Sequence, residues 1–150
     1  MTDQIRKSIV VRASRAQVWH ALSDPEEFGE WFGVNLNGSF KRGAQLRGKV
    51  THKGYENYPF EITISRIDPE HLLSWRWHPN AVDPEMDYSE EPTTLVSFEL
   101  EEIPGGTRLT LVESGFDELP ESRRLEAYTN NEKGWTMQMD AIQNYIAQAA

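Results

Sequence analysis

Apolar and polar residues alternate along several stretches of the chain, which is the pattern of strands that bury one face. Asp68-Pro69 and Pro104-Gly105-Gly106 supply turns between such stretches, since Pro presets one turn dihedral and Gly tolerates positive φ. An antiparallel meander is the simplest arrangement of these stretches. The predicted strands are Ile5 to Val11, Gln45 to Thr51, Phe60 to Ile67, Leu72 to His78, Thr94 to Glu101 and Arg108 to Ser114.

Three segments carry helix signals instead. The Ser14 hydroxyl can cap a short helix from Arg15 to Leu22, and Asp24-Pro25 favours a second one that runs through Phe28 towards Trp31. The third helix is predicted from Glu121 to about Ala149, and the sequence leaves open a break near Asn130-Asn131 or Gly134. Residues at three- and four-residue steps along it form a mostly apolar stripe that needs a sheet to pack against. The stripe comprises Leu125, Tyr128, Glu132, Trp135, Met139, Ile142 and Ile146.

Strand parity predicts which side chains face the interior, because successive residues of a strand point to opposite faces. The inward sets are Phe60, Ile62 and Ile64; Leu73, Trp75 and Trp77; Val96, Phe98 and Leu100; and Leu109, Leu111 and Glu113. Regularly spaced apolar residues usually form core, so plain packing is the default interpretation and a ligand pocket is the alternative. The second short helix leaves Trp31 and Phe32 where a gate to such a pocket would lie.

Composition narrows the function classes. The length of 150 residues predicts one domain over residues 1–150, and the net charge of -9 argues against nucleic acid as a partner. The chain has no Cys and no run of apolar residues long enough to insert into a membrane, so we expect a cytoplasmic protein without disulfides. The four His residues lie in no metal-binding spacing, so we expect neither a metal nor a cofactor.

Two polar residues are candidates for acid–base chemistry at the predicted interior. Burial disfavours the charged form of a carboxyl group, so inward-facing Glu113 could act as an acid, a base or a polar anchor. A structural role, in which Glu113 pairs with Arg66 or Lys7, is the alternative. His52 shares parity with Leu46 and is expected at the pocket mouth.

Several motifs resemble one known family. They are Val18-Trp19-His20-Ala21-Leu22-Ser23-Asp24-Pro25, Trp31-Phe32, Leu73-Ser74-Trp75, Thr107-Arg108-Leu109-Thr110-Leu111, Ser114-Gly115-Phe116 and Gly134-Trp135. The chain resembles the SRPBCC (START-like, birch-pollen-allergen-like) superfamily, in the branch homologous to the C-terminal domain of the activator of the heat-shock chaperone ATPase, whose pattern is V-W-x-A-L-(T/S)-D-P. The resemblance implies an α+β helix-grip fold, β-α-α-β6-α, in which a curved seven-stranded antiparallel sheet wraps around the long C-terminal helix. Its remaining strand would lie near Val34 to Phe40.

The predicted function is noncatalytic binding of a small hydrophobic or aromatic molecule between the sheet and the last helix. The predicted ligand-binding residues are Trp31, Phe32, His52, Phe60, Ile62, Trp75, Trp77, Phe98, Leu111, Glu113, Trp135 and Met139. One alternative is a cyclase-like or hydrolytic enzyme that uses Glu113 or His52. Another is a regulator of a chaperone or other protein partner, acting through the acidic Pro79 to Pro92 segment, which is predicted to be an exposed loop.

Overall fold

A computed structural model describes residues 3–81, 83 and 85–149. The elements are β1 (Gln4–Val11), α1 (Arg15–Ser23), α2 (Pro25–Phe32), β2 (Val34–Asn37), β3 (Gln45–Val50), β4 (Pro59–Asp68), β5 (Leu72–Trp77), β6 (Thr94–Ile103), β7 (Gly106–Ser114), the 3-10 helix η1 (Phe116–Glu118) and α3 (Glu121–Ala149). The strands form one antiparallel sheet in the order β1-β7-β6-β5-β4-β3-β2. The predicted α+β helix-grip architecture is confirmed.

The two short helices begin where their capping residues predict. Ser14 Oγ accepts the Gln17 backbone N–H at 3.2 Å, and the Asp24 carboxylate accepts the Glu27 N–H at 3.0 Å. Helix α2 ends at Phe32 and is capped by Gly33, whose φ of 92° is accessible to glycine without strain. The chain then reverses into β2 and brings the end of α2 against the sheet.

Strand β2 is the element that the sequence predicted least clearly, and it is shorter than the Val34 to Phe40 segment expected. It lies at the sheet edge and pairs only with β3. A Cβ at Gly48 would collide with the Asn35 carbonyl, so glycine is required for this close pairing.

Helix α3 is continuous through Asn130, Asn131 and Gly134, the positions at which the sequence allows a break. The Asn130 and Asn131 side chains bond to Asn80 and Glu113 respectively, so they do not compete for the backbone hydrogen bonds of the helix. Its first turns, however, are oriented differently from the predicted stripe. Leu125 is 66% exposed, whereas Arg123 packs inward onto the 79–92 segment, because this end of the helix faces that segment and not an apolar face of the sheet.

Arg123 holds the 79–92 segment, of which residues 82 and 84 lie outside the described residues. Its guanidinium bonds to Glu91 Oε1 at 2.8 Å and donates to the carbonyls of Pro79 and Asn80. It also lies 4.7 Å from the centre of the Tyr88 ring. The predicted exposed loop is therefore tied to α3, although the acidic side chains of its middle face solvent.

The inward sets predicted from strand parity form the core, together with the Trp135, Met139, Ile142 and Ile146 positions of α3. The exposed residues among those that alternate with these inward sets include Glu61, Thr63, Arg76, Glu99 and Glu101. Across the residues that the structure describes, no helix combines the length and apolar character needed to cross a membrane.

Candidate functional site

Aromatic rings fill the space between the middle of the sheet and α3. Trp75 and Trp77 lie two residues apart on β5, so both point to the inner face, with ring centres 5.1 Å apart. Trp135 of α3 lies 5.8 Å from Trp77, and Phe32 of α2 lies 6.0 Å from Trp135. The Phe98 ring of β6 also packs here, with its centre 5.9 Å from that of Trp135. Most of the predicted aromatic interior is therefore one mutually packed cluster.

Glu113 lies at the edge of this cluster and is fully buried. Its Oε1 accepts Trp135 Nε1–H at 2.7 Å, and its Oε2 accepts Trp77 Nε1–H at 2.8 Å and Thr94 Oγ1–H at 2.6 Å. Asn131 Nδ2 lies within 2.9 and 3.1 Å of the two oxygens. We call these four donors the Glu113 cage; they come from β5, β6 and α3, so the carboxyl group links three elements to β7.

The predicted ion-pair partners of Glu113 are elsewhere. Lys7 bonds to Glu132 at 2.8 Å, and Arg66 is exposed on the outer part of β4. No salt bridge to Glu113 is found within the described ranges 3–81, 83 and 85–149. Burial raises the pKa of Glu113 above its ordinary value of 4.5, and the hydrogen bonds of the cage oppose this rise.

A cavity of about 120 Å³ opens beside the cage. Gly134 contributes to its wall, and a Cβ built on Gly134 meets no atom within 4 Å beyond its two neighbours and the adjacent helix backbone, so the space reaches the α3 backbone. We call this space the aromatic cavity. It is lined by Phe32, Trp77, Asn131, Gly134, Trp135, Met137 and Gln138.

The structure brings only part of the predicted ligand-binding set to this cavity. Phe32, Trp77 and Trp135 line it, and Glu113 lies behind its wall. The remaining interior residues are packed in the core around it, namely Phe60, Ile62, Trp75, Phe98, Leu111 and Met139. Trp75 Nε1 is buried there without a hydrogen-bond partner among the residues described.

Trp31 and His52 occupy positions that differ from those expected. The Trp31 indole donates to the Ala21 carbonyl at 2.7 Å and is 6% exposed, which anchors α2 to α1. His52 is exposed in the turn after β3, with its Cβ close to Gly33. Neither side chain lines the aromatic cavity.

Sequence reasoning missed the polar part of the site. Thr94 shares the parity of Val96 and Phe98, so the strand pattern could have placed it inward. Asn131 and Gln138 lie four residues before and three after Trp135, which puts them on the same helical face. Gln138 Nε2 donates to the Phe32 carbonyl at 2.9 Å and so ties the end of α2 to α3.

A second, larger depression of about 300 Å³ lies between α1, α2 and the end of α3. Within it, Glu27 bonds to both His20 Nδ1, at 3.1 Å, and Tyr145 Oη, at 2.9 Å. The His20 side chain is 73% exposed, and these polar groups satisfy one another. This depression therefore lacks the buried polar group that distinguishes the aromatic cavity.

Comparison with known proteins places the chain in a family. The family model described as "Activator of Hsp90 ATPase homolog 1-like protein" matches residues 12–147. No curated protein matches the chain in sequence.

Solved structures share the fold. Protein MLL2253 from Mesorhizobium loti is 19% identical with a TM-score of 0.77, and 98% of each chain is covered. Protein NE0264 from Nitrosomonas europaea is 18% identical with a TM-score of 0.76, over 97% of this chain and 95% of that one. A protein from Arthrobacter aurescens is 15% identical with a TM-score of 0.77, over 97% and 87%. At such identities the likeness extends to the fold alone, and it is the family model, which spans most of the sequence, that shows the chain to belong to the Activator of Hsp90 ATPase homolog 1-like family.

Proposed function

We propose that this protein binds a small aromatic or compact aliphatic molecule in the aromatic cavity. The observation that carries the proposal is the open space beside Gly134, walled by Phe32, Trp77 and Trp135. Ligand sites are mostly apolar concavities with a few placed polar groups. Here the polar groups are the side-chain amides of Asn131 and Gln138.

The cavity size limits the ligand. A cavity of roughly 150 Å³ in another protein accommodates one benzene molecule, so the space of about 120 Å³ here fits one small ring or a compact branched group. Because the cavity opens to solvent, a larger molecule would bind with one group inserted and the remainder outside.

Gly134 supports a binding role on energetic grounds. Gly in a helix interior costs about 1 kcal/mol relative to Ala, and the packing around Gly134 does not forbid a side chain, since a Cβ would meet nothing within 4 Å. Packing within the protein does not require glycine at this position, whereas a ligand that occupies the space does.

Binding of a panel of single-ring compounds, such as indole and benzyl alcohol, is measured by NMR shifts of the Trp indole N–H signals. We expect dissociation constants in the micromolar to millimolar range and shifts concentrated at Trp77 and Trp135. Gly134→Leu should fill the cavity and abolish these shifts, whereas Asn144→Leu, at an exposed position of the same helix, should leave them unchanged. Absence of binding by the panel and by tetramethylammonium alike, or equal binding by Gly134→Leu, would overturn the proposal.

The geometry supports binding better than acid–base catalysis. Both oxygens of Glu113 are occupied by donors of the cage, and His52 lies outside the cavity lining. A catalytic acid or base needs to reach a substrate proton within hydrogen-bond distance, and neither group is presented to the cavity.

A further inference from the structure

The aromatic cavity has an uncharged lining with a single acidic group directly behind it. None of the residues that line the cavity is acidic or basic. Three of them, Trp77, Asn131 and Trp135, donate hydrogen bonds to Glu113. The carboxyl group therefore lies one side chain away from any molecule in the cavity.

No basic side chain neutralises Glu113 among the described residues. Of the two basic residues considered as partners, Lys7 is bonded to Glu132 and Arg66 is exposed on β4. The donors of the cage are neutral groups, so they stabilise a carboxylate without cancelling its charge. In a low-dielectric interior such a charge interacts strongly with a cation placed nearby.

The ring geometry also suits a cation. Phe32, Trp77 and Trp135 line the space and meet at interplanar angles of 66° between Phe32 and Trp77, 61° between Phe32 and Trp135, and 42° between the two indoles. Because the three rings are not parallel, a group in the cavity can meet the π face of more than one of them. Such faces carry negative potential and attract ammonium groups, most effectively where water is excluded.

We propose that the occupant of the aromatic cavity is a small organic cation, with an alkylammonium group held against the rings of Phe32, Trp77 and Trp135 that line it and attracted by Glu113 behind them. This inference rests on the proposed function and specifies its ligand class. The net charge of -9 favours the approach of cations over longer distances as well. A bound cation also favours the ionised form of Glu113, so carboxylate and ligand stabilise one another.

The test compares tetramethylammonium with tert-butanol, a neutral compound of similar shape. Binding of each to the 150-residue chain is followed by NMR shifts of the Trp indole N–H signals at constant ionic strength. We expect tetramethylammonium to bind about tenfold more tightly or better, since cation–π attraction and the carboxylate act on the cation alone. Equal binding, or tighter binding of tert-butanol, would overturn the inference and leave the proposed function standing.

Three variants separate the cavity from the general acidity of the surface. Phe32→Leu removes one ring without touching Glu113, and Glu113→Gln removes the charge; each should reduce the preference for the cation severalfold. Met137→Leu, which changes a non-aromatic residue of the same lining, should alter both affinities equally.

Each remaining outcome decides the question. A preference for the cation that survives Phe32→Leu and Glu113→Gln would place the cation elsewhere and refute the inference. If Glu113→Gln does not fold, the comparison of the cation preference between Phe32→Leu and Met137→Leu still tests the inference. If neither probe binds but indole or benzyl alcohol does, the inference fails alone. If nothing binds, the proposed function fails with it.

Discussion

Replacing Glu113 with Gln tests whether the Glu113 cage requires an acceptor at both oxygens. The side chain keeps its size but exchanges one oxygen for an NH₂ donor. If the new nitrogen takes the place of Oε1, it faces Trp135 Nε1–H, and if it takes the place of Oε2, it faces Trp77 Nε1–H. Thr94 and Asn131 can reorient to accept from it, but an indole N–H cannot accept.

In either orientation one indole therefore loses its acceptor, either that of buried Trp135 or that of part-buried Trp77. An unsatisfied buried donor costs about 1–3 kcal/mol, and the gain from no longer burying a charge offsets part of this cost. We expect Glu113→Gln to lower the free energy of unfolding by about 2 kcal/mol. Urea unfolding is followed by far-UV circular dichroism, because the Trp fluorescence itself depends on the cage.

The matched control is Glu99→Gln on the exposed face of β6. Surface substitutions usually change stability by no more than about 0.5 kcal/mol, so this variant should match the unsubstituted protein. If Glu113→Gln is equally or more stable than the unsubstituted protein while Glu99→Gln is neutral, desolvation of the carboxylate outweighs the hydrogen bonds and the reasoning is refuted.

Three further predictions concern stability. Since burial raises the pKa of Glu113 in the folded state above 4.5, the carboxyl group keeps its proton to a higher pH in the folded state than in the unfolded state. The free energy of unfolding should therefore fall as pH rises above about 4.5, until Glu113 ionises in the folded protein. Subtracting the same pH series measured on Glu113→Gln isolates this contribution. A rise would show that the hydrogen bonds of the cage outweigh the effect of burial on the pKa. Arg123→Met should lower the free energy of unfolding, measured with urea, by about 2–4 kcal/mol, because Glu91, 12% exposed, loses its partner. Arg47→Met breaks an exposed pair and should lower it by less than about 1 kcal/mol. Gly134→Ala should raise the melting temperature through a gain of about 0.5–1 kcal/mol; a loss would mean that the space at Gly134 is not free.

Local patterns predicted the walls of the site well. The alternation in β7 identified Glu113 as inward-facing, because residues two apart in a strand share a face and Glu113 follows Leu109 and Leu111. The same rule placed Trp75 and Trp77 on one face. Periodicity also placed Trp135 on the buried face of the last helix.

The partners of Glu113 could not be predicted in this way. Asn131 and Trp77 are separated from it by 18 and 36 residues. Asn131 reaches Glu113 through the docking of α3 on the sheet, and Trp77 reaches it across the sheet from β5. Parity specifies a face of a strand but not which helical residue lies opposite. The sequence pattern therefore suggested ion-pair partners for Glu113, whereas the fold supplied an indole and a hydroxyl from the sheet and an indole and an amide from α3.

The Glu113 cage also affects the axial position of α3 along the sheet. The apolar contacts of the helix are non-directional, and its buried residues recur at regular steps, so sliding along its axis by one turn, about 5.4 Å, would preserve much of the burial. That movement would bring Trp135 to the place of Asn131 and Met139 to the place of Trp135. Met139 offers no donor, so Glu113 would keep fewer of its hydrogen bonds. The carboxyl group thus selects one axial register of the helix from among several that hydrophobic contact alone would tolerate.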